Sequence, residues 1–190
     1  MDYIVTALIS YLFGSIPFGY LFTKILLKKD IRNIGSGNIG ATNVLRTGNK
    51  SLGYLTLILD IAKAVVPVIY IKFNYPDLVF ISALCAFLGH LFPIWLKFKG
   101  GKGVATGFGI ILCFDLLVGI LSLVTWLLIT KLFKISSLSA LVAYFFIPIF
   151  IFLNSMENNV FISSIIISCI CFFKHTENIK RLLKGSEPKI

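Results

Sequence analysis

The chain has 190 residues, of which 57% are hydrophobic and 14% charged, and its net charge is +10. Soluble domains of this size are nearer half apolar and a quarter charged, so the apolar excess excludes an ordinary soluble domain. In a soluble chain a pI near 9.6 would suggest a nucleic-acid partner. Here the basic residues flank long apolar runs, which is how membrane topology is marked. The composition therefore indicates several membrane spans and no nucleic-acid partner.

Apolar runs that can cross a bilayer recur along the chain. A transmembrane helix needs roughly 20 mainly apolar residues. The candidates in chain order are Tyr3–Leu27, Leu52–Ile71, Leu78–Leu96, Ser137–Leu153 and Val160–Phe173. The first run is long and lacks a charged segment before it, so we interpret it as a retained span rather than a cleaved signal peptide.

A further apolar stretch runs from Val104 to Phe133. As a single helix it would rise about 45 Å, which exceeds the hydrocarbon thickness of about 30 Å. Asp115 lies near its middle, so the sequence predicts two short spans that turn near Phe114–Asp115. In an alternative interpretation, one of these two spans is re-entrant. The total is then seven spans.

The distribution of charge supports seven spans. With that number, nearly all Lys and Arg residues fall in loops on one side and in the C-terminal tail, whereas Lys72 lies on the other side. The positive-inside rule makes the basic side cytoplasmic and the N-terminus external. We therefore predict an all-α integral membrane protein with seven transmembrane helices, some short, forming a single domain over residues 1–190 with cytoplasmic Gly-rich loops.

The first polar segment is Gly35–Arg46. Its three glycines allow the backbone to turn N–H groups toward a ligand, and Arg46 offers a planar fork that suits phosphate. A helix that begins near Thr42 would add a positive end. An ordinary Gly/Asn-rich turn has the same composition, but a polar loop in so apolar a chain favours a ligand. The neutral donors of this segment are Ser36, Asn38, Thr42 and Asn43.

The second polar segment is Lys97–Thr106. Gly100, Gly101 and Gly103 surround Lys102, and an apolar helix follows directly. Free backbone donors, a point charge and a helix start are typical of an anion site. The segment is not a Walker A loop, because Gly103 rather than Ser or Thr follows the Lys. A basic loop that only marks topology is the alternative.

Other polar residues point to chemistry less directly. His175 and Asn178 are three residues apart and would share a helix face; His175 can be a base or a phosphate donor, or a plain interfacial histidine. Asp60 and Lys63 share a face of the second span and form either a structural ion pair or part of a transport pathway. His90, near the end of the third span, can cap or brace the loop at Gly100.

Taken together, these segments resemble one family. The pattern S-G-N-x-G-A-x-N-x-x-R lies at Ser36–Arg46, G-H-x-x-P…K-x-K-G-G-K-G-x-A-T at Gly89–Thr106, and H-x-x-N-x-x-R-L-L-x-G-x-E at His175–Glu187. In order and spacing they resemble the bacterial acyl-phosphate:glycerol-3-phosphate acyltransferase family, PlsY. The stretches Leu59–Pro67 and Ser136–Ser139 are also similar to that family.

The resemblance implies a seven-span enzyme of the bacterial cytoplasmic membrane with a cytoplasmic active site. It would transfer a fatty acyl group from acyl phosphate to the 1-hydroxyl of glycerol 3-phosphate, the first acylation of phospholipid synthesis. The products would be lysophosphatidic acid and inorganic phosphate. No metal, nucleotide or other cofactor is implied, and we expect a monomer in contact with membrane lipids.

The family's motifs assign roles to residues of this chain. Catalytic roles fall on Ser36, Arg46, Lys102 and His175. Substrate-binding roles fall on Asn38, Thr42, Asn43, Gly100, Gly101, Gly103, Thr106, Ser139 and Asn178. The departures are Ile39 in place of a common Pro, Lys174 and Thr176 in place of frequent Arg residues, and a missing glycine that weakens the assignment of Ser139.

Two questions stay open at the level of sequence. The first is whether His175 or the phosphate of the acyl donor takes the proton of the glycerol 3-phosphate hydroxyl. We favour the phosphate, because no carboxylate is spaced to orient His175. A transporter of organic anions and a structural scaffold are the rival functions. The polar motifs gather on one face and no inverted repeat is present, which argues against transport.

Overall fold

The computed structural model describes residues 2–154 and 157–190, and within those ranges the regular structure is helical, with no β-strand. The helices are α1 (Tyr3–Ser15), α2 (Phe18–Leu26), α3 (Ala41–Leu45), α4 (Lys50–Asn74), α5 (Val79–Leu91), α6 (Val104–Phe114), α7 (Leu116–Phe133), α8 (Ser136–Leu153), α9 (Asn158–Lys174) and α10 (Thr176–Leu183). Three short 3₁₀ turns lie at Ile31–Asn33, Pro76–Leu78 and Ile94–Leu96. The all-α prediction is confirmed.

Among the residues that the structure describes, five apolar stretches are long enough to cross a membrane. The bent pair of α9 and α10 counts as a sixth if it forms one span, and α6 is a shorter apolar helix. Large apolar side chains are exposed on these helices, for example Phe73, Leu132 and Phe152. Because water would not solvate such surfaces, they indicate contact with lipid. The count of seven crossings stays a prediction.

The chain divides into two compact units, one ending at Ile110 and one beginning at Ile111. In the first unit, α1 packs closely on α5. A Cβ built on Gly14 would overlap the backbone carbonyl of Ala86, and one on Gly89 would overlap the carbonyl of Tyr11. Small residues thus allow the two helices to approach closely. The single-domain assignment itself stays a prediction.

The first predicted span is interrupted by a break at Ile16 and Pro17. α1 ends at Ser15 and α2 begins at Phe18, which confirms the kink that Pro17, between Gly14 and Gly19, predicts from the sequence. Pro17 causes the break, since it has no N–H to donate and its ring clashes with the preceding turn. The carbonyl oxygen of Ile16, at the break, accepts hydrogen bonds from the Phe18 N–H at 3.2 Å and from the ammonium of Lys63 in α4 at 2.8 Å.

In the second unit, the predicted turn at Phe114–Asp115 is confirmed. α6 ends at Phe114, and Asp115 is the N-cap of α7, where its Oδ1 accepts a hydrogen bond from the Val118 N–H at 2.8 Å. Its other oxygen accepts from Asn154 Nδ2 at 3.0 Å. Asp115 thus stabilises a helix start and ties it to the end of α8.

Candidate active site

Asn43 holds the first polar segment together from within. Its side-chain amide donates to the carbonyl oxygens of Ile31, Ile34 and Asn38 at 3.1, 2.9 and 2.8 Å. Its Oδ1 accepts a hydrogen bond from the Ser36 N–H at 3.0 Å. The side chain is buried, with 2% of the residue exposed. The polar atoms of Asn43 are therefore used in folding the loop, which the sequence did not anticipate when it assigned Asn43 to substrate.

The remaining members of this segment surround that buried amide. Asn38 accepts from the Gly40 N–H at 3.1 Å and closes a local turn. α3 begins at Ala41, which confirms the helix predicted near Thr42, although it has only five residues. Gly35 has φ of +54°, and a Cβ there would crowd Asn43 Oδ1 at 2.5 Å. Ser36 is exposed and Arg46 half-buried.

Arg46 lines an open depression of about 440 Å³ whose other lining residues are Lys29, Asp30, Asn33, Ile34 and Thr47. Asp30 is paired with Arg32, whose Nη2 lies 2.6 Å from its Oδ2. The hydrogen bond from Arg32 lowers the pKa of Asp30 to about 2, against the opposing effect of partial burial. Because Arg32 balances the one acid here, Lys29 and Arg46 leave the depression positive, as a phosphate requires.

The glycine segment folds back on the end of α5. The Gly100 N–H donates to the Leu91 carbonyl and the Gly101 N–H to the His90 carbonyl, both at 3.1 Å. The expectation that these two amides are free donors is therefore wrong. A Cβ on Gly100 would overlap the His90 carbonyl, and one on Gly103, where φ is +85°, would overlap the Phe87 ring.

These glycines are required because the loop lies directly on α5. Lys102 is half-buried in the loop and lies two residues before Val104, the first residue of α6. The loop thus presents a cation at the beginning of an apolar helix, as predicted.

A buried polar group lies beneath the glycine loop. Lys63 Nζ is 2.8 Å from Asp60 Oδ1, which confirms the predicted pairing of these residues. His90 Nδ1 lies 3.9 Å from the same carboxylate oxygen. Thr106 is fully buried, and its hydroxyl donates to the Asp60 backbone carbonyl at 3.1 Å. Thr106, assigned to substrate from the motif, therefore attaches α6 to α4.

The first two segments share one hydrophobic core. Ile39 and Val44 of the first segment belong to a buried cluster with Leu96, which precedes the glycine loop, and with Ile31 and Leu52. Packing of these side chains fixes both segments to the same part of the first unit.

In the second unit, His175 lies at the bend of about 60° between α9 and α10. Its Nδ1 is 2.8 Å from the Cys171 carbonyl oxygen, and 2% of the residue is exposed. A carbonyl oxygen only accepts, so this hydrogen bond places a proton on Nδ1 and leaves the lone pair of the neutral ring on Nε2. The orienting group is a carbonyl of the preceding turn rather than a carboxylate.

Glu187 connects three elements of the second unit. It accepts hydrogen bonds from Ser137 Oγ at 2.7 Å, from Asn178 Nδ2 at 2.5 Å and from Arg181 Nε at 2.6 Å. Burial raises the pKa of Glu187, but these three bonds outweigh that effect and hold the pKa below its ordinary value. The tail is thereby attached to α8 and α10, and Asn178 is held in one orientation.

Ser139 is fully buried in α8. Its hydroxyl donates to the Ile135 carbonyl at 2.9 Å and accepts from Thr130 at 2.8 Å. Its assignment to substrate stays a prediction, and the structure gives it contacts with α7 and its own helix. Ser137, two residues earlier, donates its hydroxyl hydrogen bond to Glu187 instead.

The chain is similar over nearly its whole length to proteins of one known family. Residues 4–185 match the model of a family described as glycerol-3-phosphate acyltransferase. The chain belongs to the glycerol-3-phosphate acyltransferase family. The resemblance drawn from the motifs is thus confirmed, and family membership makes the protein a membrane-bound acyltransferase.

Relatives of the family match over nearly their full length. The glycerol-3-phosphate acyltransferase of Pelagibacter ubique is 56% identical over 189 residues, covering 100% of this chain and 98% of that protein. The crystal structure of PlsY (YgiH), an integral membrane glycerol 3-phosphate acyltransferase, in its glycerol 3-phosphate form matches with a TM-score of 0.95 at 35% identity over 99% of this chain and 95% of that one. The lysophosphatidic acid form of PlsY matches with a TM-score of 0.92 at 34% identity, with the same coverage.

Sequence reasoning missed two participants in these polar clusters. Glu187 lies within the third motif and was given no role, although an acid in a basic tail is a recognisable signal for a pairing partner. Ser137 had no distinguishing signal, since it stands among Ser136 and Ser139 and only the fold selects the serine that faces Glu187.

Proposed function

We propose that this protein transfers a fatty acyl group from acyl phosphate to the 1-hydroxyl of glycerol 3-phosphate, giving lysophosphatidic acid and inorganic phosphate. One observation carries the proposal: each polar motif lies at a junction between helices. Lys102 precedes α6, Arg46 lies between α3 and α4, and His175 separates α9 from α10. Phosphate groups can be held by Arg46 and Lys102 and at the start of α6, while an acyl chain lies along the apolar surface of the helices.

The reaction needs little more than positioning and charge. The glycerol oxygen attacks the acyl carbonyl carbon, a new C–O ester bond forms, and the C–O bond to phosphate breaks with its electron pair leaving on the phosphate. Arg46 and Lys102 stabilise the phosphate charges, and Ser36 supplies a hydroxyl donor. Effects of this kind supply large rate enhancements when the groups are preorganised.

The hydroxyl proton passes to the leaving phosphate, which becomes monoprotonated inorganic phosphate. His175 orients the substrate by accepting a hydrogen bond from it at Nε2, because the proton on Nδ1 is donated to the Cys171 carbonyl. The same lone pair makes His175 the alternative base. Asn178, oriented by Glu187, is a donor to substrate oxygen. The substrate site is also shaped by the three glycines of the second segment and by Asn38, Thr42, Asn43, Thr106 and Ser139.

The decisive test uses purified protein in detergent with palmitoyl phosphate and glycerol 3-phosphate, followed by release of inorganic phosphate. We expect phosphate release that depends on glycerol 3-phosphate and is unchanged by EDTA. Palmitoyl coenzyme A serves as the comparison donor, and turnover with it alone would contradict the proposal. Turnover without a sealed compartment also distinguishes an enzyme from a transporter.

We further propose that the protein is a monomer in the bacterial cytoplasmic membrane with an external N-terminus and a cytoplasmic C-terminus. The support is the concentration of Lys and Arg residues in alternate loops and in the tail. Light scattering of the detergent-solubilised protein, corrected for bound detergent, tests the oligomeric state.

A further inference from the structure

The imidazole of His90 fills the space directly beneath the glycine loop. A Cβ built on Gly101 would overlap His90 Nε2 and crowd its neighbouring ring carbons, Cε1 at 2.7 Å and Cδ2 at 3.0 Å. Only 4% of His90 is exposed. Gly101 therefore has to be glycine because an imidazole occupies the place of its side chain.

The other edge of the imidazole faces a carboxylate. His90 Nδ1 is 3.9 Å from Asp60 Oδ1, which is beyond hydrogen-bonding distance, and both side chains are buried. Lys63 holds that carboxylate at 2.8 Å and is itself bound to the Ile16 carbonyl. The ring thus lies between Gly101 on one edge and the Asp60–Lys63 pair on the other.

Asp60 also holds the segment that follows the loop. Its backbone carbonyl accepts the Thr106 hydroxyl at 3.1 Å in the first turn of α6. The loop is thus bounded on the α5 side by His90, whose carbonyl accepts the Gly101 N–H, and on the α6 side by Thr106. Both His90 and Thr106 lie next to Asp60 of α4, His90 through its ring and Thr106 through its hydroxyl. Lys102 lies between Gly101 and Thr106 in the chain.

We propose that Asp60 and His90 are positioning residues that set the conformation of the glycine loop and, through it, the place of Lys102. The kinetic side of this proposal rests on the proposed function. A merely structural ion pair would stabilise the helix bundle without affecting how the loop meets a phosphate. A positioning role, by contrast, means that the effect of adding a side chain at position 101 depends on whether the imidazole of His90 is present.

A double-mutant cycle of Gly101→Ala and His90→Ala tests the contact. In the wild-type background, Gly101→Ala is expected to raise the KM for glycerol 3-phosphate or acyl phosphate at least about tenfold, as coupled neighbours do. In the His90→Ala background the imidazole is gone, and Gly101→Ala is expected to change the same KM less than about threefold. Equal effects in both backgrounds overturn the proposal, because the Cβ would then obstruct phosphate itself.

The thermal midpoint of each variant gives a second, activity-independent reading. Gly101→Ala is expected to lower it more in the wild type than in the His90→Ala protein. If Gly101→Ala alone does not fold, recovery of folded protein in the double variant supports the contact and failure to recover refutes it. Absence of turnover in the wild type would refute only the proposed function, since the thermal coupling is measured without substrate.

Asp60→Asn separates positioning from simple stability, with Ser10→Ala as the matched control. Ser10 is buried and its hydroxyl is 2.8 Å from that of Ser82, between α1 and α5 and outside the loop. Both variants are expected to lower the thermal midpoint. Asp60→Asn is expected also to raise a substrate KM at least about threefold, whereas Ser10→Ala keeps wild-type KM values. If Asp60→Asn destabilises the protein but leaves kcat and both KM values unchanged, Asp60 has no positioning role.

Discussion

Replacement of Asn43 by Ala decides whether this residue binds substrate or holds its own loop. Its amide makes three donated hydrogen bonds and accepts one, all with backbone groups. Two N–H hydrogens serve three carbonyls, so we count about three effective bonds, each worth about 1 kcal/mol. The expected loss in stability is therefore about 3 kcal/mol.

For a chain of this length, each 1 kcal/mol shifts the thermal midpoint by about 2–4 °C, so Asn43→Ala is expected to lower it by roughly 6–12 °C. The assay is thermal unfolding of the detergent-solubilised protein, with the KM for glycerol 3-phosphate measured well below the transition. Asn33→Ala is the matched control, because Asn33 is an exposed asparagine of the neighbouring turn. It is expected to change the midpoint by less than about 2 °C, since most surface substitutions change stability by less than 0.5 kcal/mol.

The opposite pattern would refute this reasoning. An Asn43→Ala protein with an unchanged thermal midpoint and a KM for glycerol 3-phosphate raised tenfold or more would place the amide on substrate, as the motif first suggested. Asn43→Asp gives an independent check, because it keeps the acceptor for the Ser36 N–H and removes the donors. It is expected to be nearly as destabilised as the Ala variant.

Four further predictions concern charge, proton transfer, the tail and topology. Arg46→Ala is expected to lower kcat/KM at least about a hundredfold, or about 2.7 kcal/mol, and Arg46→Lys to recover little because an ammonium lacks the planar fork; a fully active Lys enzyme would contradict this. If the donor phosphate is the base, His175→Gln is expected to keep a measurable fraction of kcat and His175→Ala to lose more. If His175 is the base, both variants are expected to lose roughly 10²–10⁴-fold in kcat. The pH profile of the wild-type enzyme would then show an acid limb near an imidazole pKa of about 6.5. The pKa of Glu187 is lowered in the folded protein, so its charge stabilises the fold above the ordinary glutamate pKa of about 4.3 and this effect is lost as the pH falls through the lowered pKa. The thermal midpoints of the wild type and Glu187→Gln are therefore expected to converge in acid. A difference between the two midpoints that stays constant with pH would show that the charge contributes nothing. Cysteines placed at Asp2 and Ile190 should be labelled from opposite sides of the membrane, and labelling from one side would exclude seven spans.

The sequence by itself determined the class of the protein and the position of most helices. Runs of apolar residues predict spans directly, because the hydrocarbon core excludes any backbone that does not satisfy its own hydrogen bonds. Asp115 predicted the turn between α6 and α7, since a carboxylate in the middle of an apolar stretch is far better accommodated as a helix cap. The three motifs also located the functional segments, because phosphate binding restricts residue types to Gly, Arg, Lys and neutral donors.

Only the tertiary structure decided what each polar atom in those segments does. Asn38 and Asn43 are indistinguishable by composition, yet one closes a local turn and the other is the buried centre of its loop. The amides of Gly100 and Gly101 look like free donors in the sequence, but the carbonyls of α5 already accept them. The physical reason is that a hydrogen bond depends on the distance and direction between groups, and residues far apart in the chain, such as Asp60 and Thr106, meet only when packing brings their helices together.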